Sequence, residues 1–398
     1  MLIKFASTGL INVLLTFLQF GSIVWLGREL TETDYGQVHL VLATIPVIAA
    51  LAMGGQGGAA ARFFSGREYQ RYRWRAYSAK VALGICVVSG LGGLVLLLSE
   101  TYALTGALAC ALGAMGFGLS QVFSAGLIRA FGQPVRAVML TRAWVVAFLV
   151  ALVVVPWSEA STVVWILMAS HLVGGIAGGI YLFTQFEAGT EPAGTELWRD
   201  GFWFWFINIS MIATRHLDRI ILGGILPLAT LGAYGGLVTM MAGFDVLSFT
   251  VAFLLLPVFA KEREIALGRR LIEVGVLTLV GVVGYLLLGP WLLALLFEGR
   301  YDEMAALIPI LCLAGVAKAL YSVPSSLLGG RLARAALREF SIWNVVLLAV
   351  AIGVSAYLGL RFGALGVAWG TVIAWVGRLG LASWLVVKYW RSSEELPG

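Results

Sequence analysis

Runs of about twenty apolar residues, the length that crosses a bilayer's hydrocarbon core, follow one another along almost the whole chain. They predict twelve membrane-spanning helices, at residues 5–27, 38–61, 77–98, 103–128, 137–157, 162–184, 201–226, 230–259, 270–297, 304–330, 337–359 and 364–388. Polar residues gather in short connections between these runs. The longest connection, "EAGTEPAGTELWRD" at 187–200, falls at the midpoint of the chain. The pattern predicts an all-α integral membrane protein with no sizeable domain outside the bilayer.

A midpoint connection points to two halves. Shifting the sequence by 196 positions lays Ile11-Asn12 on Ile207-Asn208, Leu26-Gly27 on Leu222-Gly223, Leu30 on Leu226 and Gly36 on Gly232. Both copies read span, Leu-Gly, short loop, Gly, span. Repeats of this kind are common in transporters, whose substrate sites lie at the repeat interface. Chance similarity between Gly- and Leu-rich helices is the competing reading. The repeat divides the chain into an N-terminal six-helix bundle (1–186), a linker (187–200) and a C-terminal six-helix bundle (201–398), with Asn12 and Asn208 equivalent.

Composition sharpens the class. The 398 residues are 60% hydrophobic and 12% charged, with mean hydropathy +0.93, against about 25% charged residues in soluble domains. Cys86, Cys110 and Cys312 lie in apolar runs without metal-ligand spacing, so neither a disulfide framework nor a metal site is signalled. The N-terminal "MLIKFASTGLINVLLTFLQFGSIVWL" ends in no small-residue cleavage site and reads as a retained first span.

Loop cations set the orientation. Of the 27 Lys and Arg residues, Arg28, Arg300 and Arg361 fall on one side and four fall in mid-span; all the others lie on the side of the N-terminus. Both termini and the 187–200 linker are therefore expected to be cytoplasmic. The densest basic run, "RFFSGREYQRYRWRAYSAK" at 62–80, interleaves aromatics with cations. Between two spans it reads as an interfacial stretch on anionic lipid headgroups or as a plain topology determinant, not as a nucleic-acid site.

The candidate chemistry lies in mid-span. "TRHLDRIILGG" at 214–224 puts Arg215, His216, Asp218 and Arg219 inside the seventh span, where each charge costs about 2.5–3.5 kcal/mol on insertion scales. At 100° per residue, Asn208, Arg215 and Arg219 fall within about 40° of one another, with His216 and Asp218 flanking that stripe. Arg215 lies roughly 16 Å from the helix end by rise per residue, near the midplane. Lys318, Arg378, Asp245 and His171 are the other mid-span ionisable groups.

Such groups usually face a bundle interior or aqueous cavity. Arg215, Arg219, Lys318 and Arg378 outnumber Asp218 and Asp245, which suits an anionic headgroup such as a lipid diphosphate. Asp218 would hold the Arg215 guanidinium when no substrate is bound. The competing reading makes Asp218 and Arg219 a structural pair that locks helices. Asp245 is either a coupling-ion carboxylate or a partner for Lys318, and His171 reads equally well as a packing residue. Arg129 and Arg142, at the inner ends of the fourth and fifth spans, would guide a phosphate inward or anchor topology.

Four stretches carry a family likeness: "LGRELTETDYGQVHLVLA", "LDRIILGGILPLATLGAYG", "LLFEGRYDEMAALIPILCLAG" and "RFGALGVAWGTVIAW". In order along the chain they resemble segments of the Wzx-type oligosaccharide (O-antigen) flippases, in the superfamily that also holds MATE drug exporters and lipid II flippases. The chain lacks the two extra C-terminal spans of the lipid II flippases and is compact for the family.

The resemblance implies two pseudo-symmetric six-helix bundles around a central cavity and alternating access. It also implies an undecaprenyl-diphosphate-linked glycan as substrate and a bacterial inner membrane as location. No cofactor is implied beyond a coupling ion, proton or sodium. The expected partners are the lipid-linked glycan, anionic lipids and polysaccharide-assembly proteins around a monomer. A MATE-like cation antiporter would want an acidic cavity instead. A polymerase or ligase of the same pathway would want a large outer loop, and no phosphate loop or nucleophile triad is recognisable. An inert scaffold leaves the mid-span charges without a reason.

Overall fold

The computed structural model describes residues 2–64, 68–99, 102–192, 194–261, 267–330 and 334–393. Positions 65–67 of the basic run and 193 of the linker lie outside the described residues. The elements are helices: α1 (Leu2–Glu29), α2 (Glu32–Met53), α3 (Gln56–Phe64), α4 (Trp74–Leu97), α5 (Leu104–Ser120), α6 (Pro134–Thr141), α7 (Ala143–Val154), α8 (Ala160–Gln185), α9 (Thr195–Ile225), α10 (Leu228–Met240), α11 (Gly243–Lys261), α12 (Leu267–Phe297), α13 (Ile308–Gly330) and α14 (Arg334–Ser393). Among the described residues the only strand-like pairing is an isolated bridge between Tyr72 and Glu191.

Among the described residues, nine helices are long and apolar enough to cross a membrane. One of them, the 55-residue stretch 335–389, is more than twice the length one crossing needs. It is two helices turned at Gly363, whose φ of 61° and ψ of −140° are non-helical and suit a residue without Cβ. The pair α10 and α11, bent by 50° at its break, is long and apolar enough when taken together to count as one span. The charged α9 runs unbroken over 31 residues. With that division of 335–389, the bent pair and α9, the nine become the twelve spans of the sequence pattern, and the protein is a multi-pass membrane protein.

The expected span boundaries need three corrections. The second span is Glu32–Met53, not 38–61, because Gly54 (φ 54°) and Gly55 (φ 70°) adopt left-handed backbone that ends α2 before the short α3 begins. The fifth span, expected as one helix over 137–157, is α6 plus α7, interrupted at Arg142. The eighth, expected over 230–259, breaks between Met240 and Gly243. A further irregularity is the π-helical segment Gln121–Ile128 that continues α5, a geometry often found at functional sites.

Local chemistry explains several joints. Thr31 caps α2: its hydroxyl accepts from the Asp34 amide at 3.1 Å and donates to the Asp34 carboxylate at 2.7 Å, while Glu32 and Asp34 sit in the positive first turn. The Leu51 carbonyl, freed as α2 ends, accepts from the Trp205 indole at 3.0 Å. Gly55 makes that approach possible, since a Cβ there would lie 2.1 Å from the Gly201 carbonyl oxygen and 2.3 Å from the Trp205 backbone nitrogen.

The chain forms two compact units, Met1–His216 and Leu217–Gly398, divided within α9. The 187–200 connection lies inside the first. In that unit α5 and α8 pack through glycines: a Cβ at Gly175 would lie 2.6 Å from the Gly116 carbonyl oxygen, the close approach that small residues permit between membrane helices. An aromatic cluster of Phe64, Trp74, Tyr77, Phe123, Phe131 and Phe186 closes one end. The basic run is tied to the connection there. Trp74 donates to the Glu187 carbonyl at 2.8 Å, and Arg75 donates to the Phe183 and Phe186 carbonyls at 3.0 and 3.1 Å. In the second unit α13 packs against α11, α12 and α14.

Helix ends follow the 196-residue shift. The last residue of α1, Glu29, corresponds to the last of α9, Ile225, and the first of α2, Glu32, to the first of α10, Leu228.

Candidate functional site

Two groups of the mid-span residues come together, one in each unit. In the second unit α11 supplies Asp245, α13 supplies Lys318 and Tyr321, and α14 supplies Asn344, Trp375 and Arg378. Lys318 and Tyr321 are three residues apart on one helix, as are Trp375 and Arg378, so each pair shares a face. The Lys318 ammonium donates to the Asp245 carboxylate and stands 5.1 Å from the centroid of the Trp375 ring. The Arg378 guanidinium lies 6.0 Å from the same centroid. It donates to Asn344 Oδ1 at 2.7 Å and lies within electrostatic range of the Tyr321 hydroxyl. Tyr321 meets Trp375 edge to face at 5.8 Å.

Burial grades this group. Arg378 is 1% exposed and Trp375 3%, whereas the Lys318 side chain is 12% exposed and that of Asp245 39%. The sequestered guanidinium meets the Asn344 side-chain carbonyl and the Trp375 ring face. Asp245 is the group's route to solvent. Of the two readings open for Asp245, its contact is with Lys318.

In the first unit Arg142 sits in the break between α6 and α7, and its guanidinium donates to Gln19 Oε1 of α1 at 3.0 Å. Arg215, half-buried on α9, lies within electrostatic range of Arg142. Ten residues separate Arg215 from the end of α9, roughly 15 Å at the α-helical rise. Asn12 is buried on α1, and its carbonyl accepts from Thr16 at 2.7 Å. Asn208 and His216 are half-buried on α9, and Arg129 is exposed at the end of the π-helical segment.

Asp218 has its own partners. One carboxylate oxygen accepts from the Arg219 amide at 2.8 Å and lies 3.6 Å from Arg219 Nε; the other accepts from the Tyr234 hydroxyl of α10 at 3.1 Å. The carboxylate placed by the sequence pattern to hold Arg215 is thus engaged by Arg219 and Tyr234. It ties α9 to α10, the locking role weighed as the alternative. His171 packs: its Nδ1 is 2.9 Å from the Leu167 carbonyl and its ring stacks on Trp144 at 4.3 Å.

Trp375, Tyr321, Asn344, Tyr234 and Gln19 were not singled out by the sequence. The i,i+3 spacings to Lys318 and Arg378 were the available signal for the first two. Among the described residues no group of three or more His, Cys, Asp or Glu side chains could hold a metal ion. Cys86 is exposed and Cys110 and Cys312 are buried, all as free thiols.

Comparison with solved structures places this geometry in a known fold. A multidrug resistance MATE family transporter of the MOP superfamily, inward-facing, matches with a TM-score of 0.67 at 13% identity over 96% of each chain. The lipid II flippase MurJ, inward closed, matches with 0.69 at 11% identity, over 99% of this chain and 88% of the other. A MOP superfamily transporter from Pyrococcus furiosus, reported to have a binding pocket of reversed polarity that suggests a different function, matches with 0.66 at 15% identity over 98% and 94%. These proteins are transporters or flippases by description. No curated protein matches the sequence. The family model for polysaccharide biosynthesis proteins matches residues 1–262, about two thirds of the chain. An all-helical membrane chain with the MOP fold and that match belongs to the polysaccharide biosynthesis protein family.

Proposed function

We propose that this protein is a Wzx-type flippase, which moves an undecaprenyl-diphosphate-linked oligosaccharide across a bacterial inner membrane by alternating access. The observation that carries the reading is the meeting of Lys318 and Arg378 on Trp375, two cations from different helices sequestered at one place within the spans. Buried cations within membrane helices mark substrate pathways, and a guanidinium grips phosphate oxygens with paired donors. A cation exporter gains nothing from that sign of charge.

Arg215, with Arg142 hydrogen-bonded to Gln19, offers a partner for an anion within the first unit. Arg219 contributes through its pair with Asp218, and Asp245 is the carboxylate the substrate displaces from Lys318. Arg129 stands as an approach cation at the surface. Asn12 and Asn208 are equivalent polar positions of two six-helix repeats, 1–186 and 201–398. The helix ends shared at the 196-residue shift support this division. Both termini and the 187–200 linker are cytoplasmic, supported by the confinement of outer loop cations to Arg28, Arg300 and Arg361. The protein acts as a monomer with polysaccharide-assembly proteins as neighbours.

Calorimetry of the purified full-length chain with inorganic diphosphate tests the site. Lys318→Gln and Arg378→Gln should each weaken binding about tenfold, the worth of one charge-assisted contact. Equal affinity in both variants and the parent would remove this site from the reading.

A further inference from the structure

We propose that Trp375 is a positioning residue, its indole face holding Lys318 and Arg378 so that one anion meets both. The inference rests on the site described above and deepens it.

Two independent routes bring the cations to this ring. Arg378 lies one turn beyond Trp375 on α14, and helix side chains lean towards the N-terminus, so its guanidinium folds back over the ring at 6.0 Å. Lys318 arrives from α13, with Nζ 5.1 Å from the same centroid. Two like charges held at one ring gain from an attractive surface that both can face. The negative face of an indole binds a cation better than that of any other aromatic side chain, and its attraction grows when water is excluded. Water is excluded here, with Trp375 3% exposed.

Polar contacts hold both cations beside the ring as well. Asn344 accepts from Arg378. Lys318 has three N–H donors, and Asp245 accepts from it. A π face takes no N–H donor in the way a carboxylate does, so an oxyanion competes with Asp245 for the ammonium and not with Trp375. The ring therefore keeps both cations in place through loading and release. A residue that merely fills space would do none of this, and any apolar side chain of similar size would replace it.

The test is the affinity of the purified full-length protein for inorganic diphosphate in Trp375→Phe and Trp375→Leu, with melting temperatures measured in parallel. Phenylalanine keeps a weaker cation-binding face and leucine keeps none, so the expected order is parent, Phe, Leu. The losses should be about threefold and about tenfold, and Lys318→Gln in the Leu background should add little further loss. In transport the change should appear as a higher half-saturating substrate concentration with the maximal rate largely kept. If both Trp375 variants bind like the parent while Lys318→Gln and Arg378→Gln do not, the positioning role is wrong and the anion site stands. If none of the four weakens binding, the site reading fails and this inference with it. Should Trp375→Leu not fold, Trp375→Phe decides alone. Weaker binding at an unchanged melting temperature supports the role, and unchanged binding overturns it.

Discussion

Arg215→Ala is expected to abolish glycan export while leaving folded protein in the membrane at the parental level. Arg215 lies roughly 15 Å from the end of α9 by helical rise, half-buried and near a second guanidinium, Arg142. An arginine at such depth costs about 2.5–3.5 kcal/mol on insertion scales, and a neighbouring like charge adds to that cost. Both costs fall when an anion is bound. Alanine removes the cost together with the anion's partner, so the variant should fold normally and fail only at transport. Arg215→Lys keeps a charge but loses the planar fork and loses its proton more readily when desolvated. It should retain part of the activity. Export measured as surface glycan, with membrane protein by immunoblot, checks both. Normal export by the Ala variant would refute the role. Loss of the protein from the membrane would make Arg215 a structural residue.

Asp218→Ala should have the opposite signature: a large fall in the amount and melting temperature of the protein. Asp218 is 5% exposed, and its two oxygens serve the Arg219 amide and side chain and the buried Tyr234 hydroxyl. Breaking a buried pair by removing one member costs about 3–5 kcal/mol, and the Tyr234 hydroxyl loses its carboxylate acceptor as well. Asp218→Asn keeps an acceptor for Tyr234 and should lie between. The double variant Asp218→Ala/Arg219→Met removes the other member of the pair and should recover a good part of the lost stability. A singly substituted Ala variant that melts like the parent and fails only in transport would make Asp218 a transport carboxylate.

The two cases show what the sequence carried. The number and class of the spans are legible in hydropathy because a bilayer demands about twenty apolar residues per crossing. Hydropathy is blind to breaks within a crossing, since both pieces of a broken helix are equally apolar. The breaks at Gly54–Gly55, Arg142 and Met240–Gly243 were missed for that reason, although "MGGQGG" is a glycine signal. Mid-span cations were legible by their rarity. Their partners were not: Trp375, Tyr321 and Tyr234 look like ordinary membrane-helix residues until helix rotation places them. Asp218 was placed with Arg215 by helical spacing, yet its nearest available donors are its own neighbour and a tyrosine on the next helix.

The central claim is that this chain moves an anionic lipid-linked glycan without altering it. The most direct measurement reconstitutes the purified protein into liposomes carrying an undecaprenyl-diphosphate-linked oligosaccharide and follows the fraction open to an impermeant glycan-modifying enzyme. The account predicts that the fraction rises with time well above protein-free liposomes, that the recovered lipid is chemically unchanged, and that Arg215→Ala and Arg378→Gln remove the rise. A parent protein that exposes no more glycan than empty liposomes, or that returns the lipid covalently changed, would contradict it.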